Sequence, residues 1–520
     1  MLCVVSADRA ACGRLLHYCA QPMRLLDPIL RNWLRHPLRG CIEDDFRTWR
    51  GVTLWAASRH LARRIEDCST RPNIGVLLPT GGAFPVALAA TWMIGRTVVP
   101  LNYLLSKREL NWIIEHAELD LVVTAGPMLQ KFGPLPDHIQ TIELEKANFK
   151  GMPPLFRPVR RDDDHTAVIL YTSGTSGLPK GVQLSVGNLA ANVDQCIRWA
   201  DFTKKDCFLG VLPQFHSFGF TVTTLLPLML GCRGLYTARF QVSRVLELLR
   251  RQRPTALMAI PSMYNLLLVS KEARAEDFQS LRYIVSGGEP LPDAVYDGFA
   301  KRFGIRLCEG YGLTETAPVT NWTRPHEERR GVVGRPLDGV EERIVDPDSG
   351  DTLDPGHDGE IRMRGDNIMV GYYKDPDATA AAFDEDGFFK TGDMGQLSSD
   401  GFLSITGRIK EMLIIGGENV FPREIEDVLR RHPDVHDAAV IGMQDPMRGE
   451  VALAFVELEE GAKVTSAELR KYCNGPLTPF KVPREVRIID ALPRNPTGKI
   501  MRRALSVDAA KTEEPADASG

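Results

Sequence analysis

Three things are missing from this chain of 520 residues. It has no CxxC pair and no compact cysteine framework. Its ten cysteines are scattered from Cys3 to Cys473, which fits reduced thiols in a cytoplasmic protein better than a disulfide scaffold. No apolar run approaches the roughly 20 residues that a membrane-spanning helix needs, and the opening MLCVVSADRAACGRLLHYC lacks the ordered sections of a secretory signal. Neither charge is in excess either: 63 Lys and Arg against 67 Asp and Glu leave −4, so no nucleic-acid partner is expected.

What is present is an ordinary globular composition, 43% apolar and 25% charged, over a length that suits two or three domains. Leu25, Leu26, Ile29, Leu30, Trp33 and Leu34 recur at helical spacing. A buried N-terminal helix explains that stripe, and so does peripheral membrane contact.

From about residue 40 to 320, apolar runs (NIGVLLPT, TVVPLN, LDLVVTA, CFLGVLP, TALMAIP) alternate with helix-like segments (GGAFPVALAATWMIG, KRELNWIIEHA). That alternation predicts parallel strands joined by helical crossovers. After about 330 the texture turns to Gly-punctuated segments such as GEIRMRGDNIMVGYY, which read as antiparallel hairpins. From about 410 a small α+β unit is expected: strand EMLIIGG, helix REIEDVLRRHP, strands DAAVIGM and VALAFVELE, helix TSAELRKYCN. The last residues are polar and read as a disordered tail.

The stretch YTSGTSGLPKGV, Tyr171 to Val182, carries the first chemistry. A Walker loop needs Gly, four residues, then Gly-Lys-Ser/Thr. Counting from Gly174, Pro179 stands at the second glycine and Gly181 follows Lys180, so the spacing fails. AVILY before it and GVQLS after it are strand-like, making this a strand-to-strand loop. Gly174, Gly177 and Gly181 let backbone N–H groups crowd an anion; Thr172, Ser173, Thr175 and Ser176 add hydroxyl donors, and Lys180 adds mobile positive charge. Such a loop grips phosphates.

The loop resembles the signature of the adenylate-forming superfamily, which includes acyl-CoA synthetases, adenylation domains of peptide synthetases and firefly luciferase, and usually reads YTSGTTGxPKGV. Ser176 replaces a common threonine and keeps the hydroxyl. Further motifs follow in the superfamily's order: SGGEP (Ser286 to Pro290), EGYGLTET (Glu309 to Thr316), KTGD (Lys390 to Asp393), RIKEMLIIGGENVFPREIE (Arg408 to Glu426) and PRNPTGKI (Pro493 to Ile500). The resemblance spans about residues 45 to 505.

The resemblance implies an α/β fold: a large N-terminal AMP-binding domain of layered α/β sheets with a β-rich subdomain (1–408), a small mobile α+β C-terminal domain (409–507) and a tail (508–520). It implies that ATP lies against Gly288, Glu289, Pro290, Glu309, Gly310, Tyr311 and Gly312, with Tyr311 stacking on the base. Thr314 would contact the α-phosphate, Glu315 would bind Mg²⁺ with Thr172, Asp393 would accept the ribose hydroxyls, and Arg408 would reach ribose or phosphate. Lys410 is the implied pivot, and Lys499 the catalytic lysine that the small domain delivers. Gly416, Gly417, Glu418 and Arg448 are the implied contacts for CoA or an acidic carrier. FHSFGFT, Phe215 to Thr221, resembles a segment of fatty acyl-CoA synthetases and acyl-acyl carrier protein synthetases, with His216 as tunnel gate. No acidic residue after Phe218 is committed to an amino group, which favours a medium- or long-chain fatty acid over an amino acid. The implied activity is ATP-dependent fatty acid–CoA ligation through acyl-AMP. The alternatives are an acyl-acyl carrier protein ligase and a catalytically silent nucleotide- or lipid-binding regulator.

Overall fold

The computed structural model describes residues 24–172, 178–327, 329–415, 418–445, 449–494 and 500–506. Ser173, Gly174, Thr175, Ser176, Gly177, Gly416, Gly417, Arg448, Lys499 and the tail from 508 lie outside the described residues.

The alternating runs build two mostly parallel sheets. In a seven-stranded sheet, Gln140–Glu143, Leu121–Thr124, Asn73–Leu77, Thr97–Pro100 and Thr166–Thr172 are parallel neighbours. Lys180–Ser185 and Gly371–Tyr372 then complete one edge antiparallel. NIGVL and TVVP are buried at every position, as strands covered on both faces must be. A nine-stranded sheet places Cys308–Gly312, Tyr283–Ser286, Ala256–Ala259, Cys207–Gly210, Arg233–Tyr236 and Gly40–Glu43 as parallel neighbours, with antiparallel strands at its edges.

Thr166–Thr172 and Lys180–Ser185 pair antiparallel, so the glycine-rich loop does join strand to strand, and Thr172 sits opposite Lys180 at its base. Ser185 ends the second strand by capping the helix Val186–Trp199. Its hydroxyl accepts from Asn188 N, and Asn188 accepts back from Ser185 N. The reciprocal cap fixes how the chain leaves the loop.

The Gly-punctuated segments form a four-stranded antiparallel sheet of Glu341–Val345, Gly359–Arg364, Phe389–Leu397 and Leu403–Arg408. Beyond it stands a five-stranded sheet with the helices Pro422–Arg430 and Ser466–Cys473. Its fifth strand, Glu485–Ile489, pairs parallel with Gly449–Leu458 and was not anticipated. The cores on the two sides of Arg408 are separate: Ile361, Met363, Phe389 and Leu403 pack with the preceding sheets, whereas Leu413, Val420, Ile425, Ala454 and Leu469 pack together.

The helix Leu26–Arg35 corrects the membrane-contact expectation. Leu25, Leu26, Ile29 and Trp33 are each at most 3% exposed, and the helix packs on Leu226–Leu230. Leu30 is partly buried in the same core, so of the six apolar residues only Leu34 is exposed. No helix among the described residues is long and apolar enough to cross a membrane.

Candidate active site

Two loops at the ends of adjacent strands of the nine-stranded sheet carry SGGEP and EGYGLTET. Gly288 there adopts φ +82°, a backbone conformation that favours glycine. Gly312 is required for another reason: a Cβ would lie 1.9 Å from the Pro318 carbonyl oxygen. The absence of side chains at 287, 288, 310 and 312 leaves backbone bare beside an open cavity.

At one side of this cavity, Tyr311 donates its hydroxyl to Asp393 Oδ2 at 2.6 Å, while Arg408 Nε is 2.7 Å from Asp393 Oδ1. Asp393 and Arg408 are direct partners across the antiparallel pair Phe389–Leu397 and Leu403–Arg408, so the register itself brings them together. Asp393 is only 2% exposed, and Thr391 Oγ1 accepts its backbone N–H at 3.0 Å. The buried Asp393 carboxylate holds the Arg408 guanidinium above its usual range, and burial, with the neighbouring carboxylate, pushes the Tyr311 phenol far up. A carboxylate offers about four acceptor sites. Tyr311 and Arg408 each take one acceptor site, one on each oxygen of Asp393.

A second cluster, beside the base of the glycine-rich loop, converges on Tyr372. Lys180 Nζ stands 5.0 Å from the centre of the Tyr372 ring and 3.6 Å from Asp375 Oδ2, and the Tyr372 hydroxyl donates to Glu315 Oε1 at 3.0 Å. The Gly371–Tyr372 strand reaches this position by pairing with Val182 and Gln183, just beyond the loop. Met369 N also donates to the Glu315 carbonyl at 2.8 Å. Burial raises the Glu315 carboxyl above its usual range, and the Tyr372 hydroxyl opposes that rise. Thr314 Oγ1 donates to Ser217 Oγ at 3.2 Å, which joins the EGYGLTET segment to FHSFGFT.

The Glu315 carboxylate and the Thr172 hydroxyl at the base of the loop are hard oxygen donors of the kind Mg²⁺ takes. This cation usually keeps waters and substrate phosphates as its remaining ligands. Among the described residues no group of three or more His, Cys, Asp or Glu side chains could form an all-protein cage.

The cavity encloses about 480 Å³ of open space, its mouth included, and is lined by His216, Phe218, Val222, Met258 and Trp322 together with the glycines above. His216 is exposed, and its Nδ1 accepts from Phe218 N at 3.4 Å. Glu309 stands apart from the cluster through its side chain. It is 9% exposed and accepts from Arg330 Nη1 at 2.7 Å, and Arg330 also reaches Asp293 at 2.6 Å. Burial outweighs Arg330 and pushes the Glu309 carboxyl up to about 6. Lys410 is exposed on the single turn Ile409–Glu411 between two strands, and Glu418 is exposed on Glu418–Val420.

Four contributors were not singled out from the sequence: Tyr372, Asp375, Ser217 and Thr391. Their only sequence signal was position: Ser217, Thr391 and Tyr372 lie inside quoted segments, and Asp375 stands two residues beyond one.

Residues 30–373 match the AMP-binding enzyme family, and residues 424–499 match the AMP-binding enzyme C-terminal domain. The chain belongs to the AMP-binding enzyme family. This AMP-binding enzyme is 36% identical over 83% of its length to a sulfoacetate–CoA ligase of Cupriavidus necator, covering 87% of that protein. It is also 36% identical, over 66% of its length, to a long-chain-fatty-acid–CoA ligase of Bacillus subtilis, of which the match spans 62%. Its fold matches the o-succinylbenzoate coenzyme A synthetase of Bacillus subtilis in complex with ATP and magnesium ion, with a TM-score of 0.83 at 30% identity, over 92% of this chain and 98% of that one. The AMP-binding enzyme fold is therefore the α/β architecture expected from the motifs, a large N-terminal part and a smaller C-terminal one.

Proposed function

We propose that this AMP-binding enzyme is an ATP- and Mg²⁺-dependent carboxylic acid–CoA ligase. One observation carries the reading: Tyr311, whose hydroxyl binds Asp393, lines the same apolar cavity as His216, Phe218 and Met258. Nucleotide and an apolar acid can therefore meet, with Thr314 tied to Ser217 at the junction.

A carboxylate is a poor electrophile, so thioester formation needs a leaving group on its carbon. The acid's carboxylate oxygen attacks the α-phosphorus of ATP, pyrophosphate leaves, and the acyl-AMP then gives its acyl group to the CoA thiol while AMP departs. Asp393 would hold the ribose hydroxyls, with Arg408 bound to its other oxygen. Thr314 would meet the α-phosphate. When bound at Glu315 and Thr172, Mg²⁺ would supply positive charge to the phosphates. Lys180 and the loop Ser173 to Gly177 would grip the β- and γ-phosphates, and Lys499 would neutralise charge at the α-phosphate during adenylation.

The large domain would end at Arg408 and the small one, from 409, would pivot at Lys410. Such hinges fall at a few residues between elements, and the separate cores on either side support the division. Gly416, Gly417, Glu418 and Arg448 would then guide the thiol. The acid is apolar, a fatty acid on the strength of the cavity lining and of a fatty-acid-ligase relative.

The test is pyrophosphate release across alkyl and aryl acids, with CoA and with acyl carrier protein as acceptors, in the wild type and Lys499→Ala. The variant should lose adenylation and keep thioester formation from preformed acyl-AMP. Thioester formed on the carrier protein alone would reassign the acceptor. No acid-dependent pyrophosphate from the wild type would leave the nucleotide- or lipid-binding regulator as the reading.

A further inference from the structure

The cavity's lining grades from open to closed. His216 and Gly288 are exposed and Phe218 and Tyr311 half-buried, whereas Val222, Met258 and Trp322 are 0%, 0% and 2% exposed. Val285, Val319 and Ser217 are buried in the lining too, at 3%, 7% and 4%, and Trp322 is by far the largest buried side chain among them.

Trp322 is held through both its ring and its backbone. Its ring packs against Phe202, with centres 6.0 Å apart, and Tyr283, at 5.6 Å. Its backbone lies between Gly310 on one strand and Arg335 on the other, and its carbonyl accepts from Trp199 Nε1 at 3.0 Å. The same strand is pinned at Val319, where the Asn192 amide accepts from the backbone N–H at 3.1 Å and donates to the carbonyl at 2.7 Å. A ring fixed in a close-packed aromatic cluster cannot swing aside without repacking it.

We propose that Trp322 is the fixed floor of the acid pocket and determines specificity, so that the acid is a compact, short- to medium-chain fatty acid, and long-chain acids collide with the indole. The proposal rests on the ligase reading above and narrows it.

The test is calorimetric titration of acyl-sulfamoyl adenosines, which mimic acyl-AMP without turnover, from acetyl to palmitoyl with a benzoyl member, into the full chain. Wild type should gain about fourfold in affinity per added methylene up to a medium-chain optimum, then lose affinity sharply. Trp322→Leu should move that break to longer chains, and Trp322→Phe should move it less in the same direction, with melting curves confirming that each is folded. Wild type binding the palmitoyl member as tightly as the octanoyl one overturns the proposal, as does an unmoved break in folded variants. If both variants fold poorly, the wild-type series alone decides the length limit. Binding of any acyl member with an unmoved break refutes only the floor, whereas no binding of any member refutes the ligase reading with it.

Discussion

Asp393 faces Arg408 directly across two antiparallel strands, with its Oδ1 2.7 Å from Arg408 Nε. The pair sets a fixed acceptor beside Tyr311, and its worth can be read from ligand preference. Asp393→Asn keeps the shape and removes the charge. Losing charged hydrogen bonds of this kind should raise KM for ATP by about 10- to 100-fold. Affinity for preformed acyl-AMP should fall with it, since both ligands carry the ribose, while KM for CoA changes little. Steady-state kinetics in each substrate checks this, and equal effects on all three would argue for a general structural loss.

Tyr372 gives a second test, because its hydroxyl donates to Glu315 at 3.0 Å. Tyr372→Phe removes a bond that lowers the Glu315 carboxyl, so that carboxyl should rise further. The acid limb of the pH–rate profile should move to higher pH, and half-saturating Mg²⁺ should increase by about 3- to 10-fold. A Mg²⁺ titration at several pH values reads both. An unchanged profile would separate Tyr372 from the cation site.

Glu342 predicts a pH-dependent stability. Burial pushes its carboxyl up to about 8 from an ordinary 4.5, opposed only by the Asn321 amide at 3.1 Å. The folded state thus favours the protonated form. Its contribution to stability is complete below about 4.5 and is lost as pH rises through about 8. Glu342→Gln cannot ionise, so it should melt close to wild type at acid pH and higher, by at least about 2 °C, at alkaline pH. Melting curves across that range check the sign, and a gap that narrows with rising pH contradicts it.

Gly312→Ala should be severe. The new Cβ would meet the Pro318 carbonyl at 1.9 Å, and backbone cannot yield as a flexible side chain can. The expected cost is about 1–3 kcal/mol in a denaturant melt, with loss of ATP binding. A variant that melts and binds as wild type would place the loop's backbone differently.

Most of the fold was legible because its strands are short apolar runs between helix-like segments, and the loop at Tyr171 to Val182 was flanked by two strand patterns that do pair. What spacing could not show was which strands are neighbours. Gly371–Tyr372 is two residues long, carries no periodic signal, and reaches the loop's second strand across nearly 190 residues of chain. Tyr372 and Asp375 were invisible as partners of Lys180 for that reason. Glu309 shows the converse: it was named from its motif, but the side chain's commitment to Arg330 depends on a residue 21 positions away. The helix at Leu26–Arg35 illustrates a third limit, since an apolar stripe has the same spacing whether protein or lipid covers it.

The central claim is that an acid oxygen attacks the α-phosphorus of ATP, and an isotope transfer tests it most directly. An accepted acid labelled with oxygen-18 in its carboxylate, turned over with ATP and CoA, should leave one labelled oxygen in the AMP phosphate and none in pyrophosphate. Label in pyrophosphate or inorganic phosphate, or thioester formed with unlabelled AMP, would contradict the acyl-adenylate account.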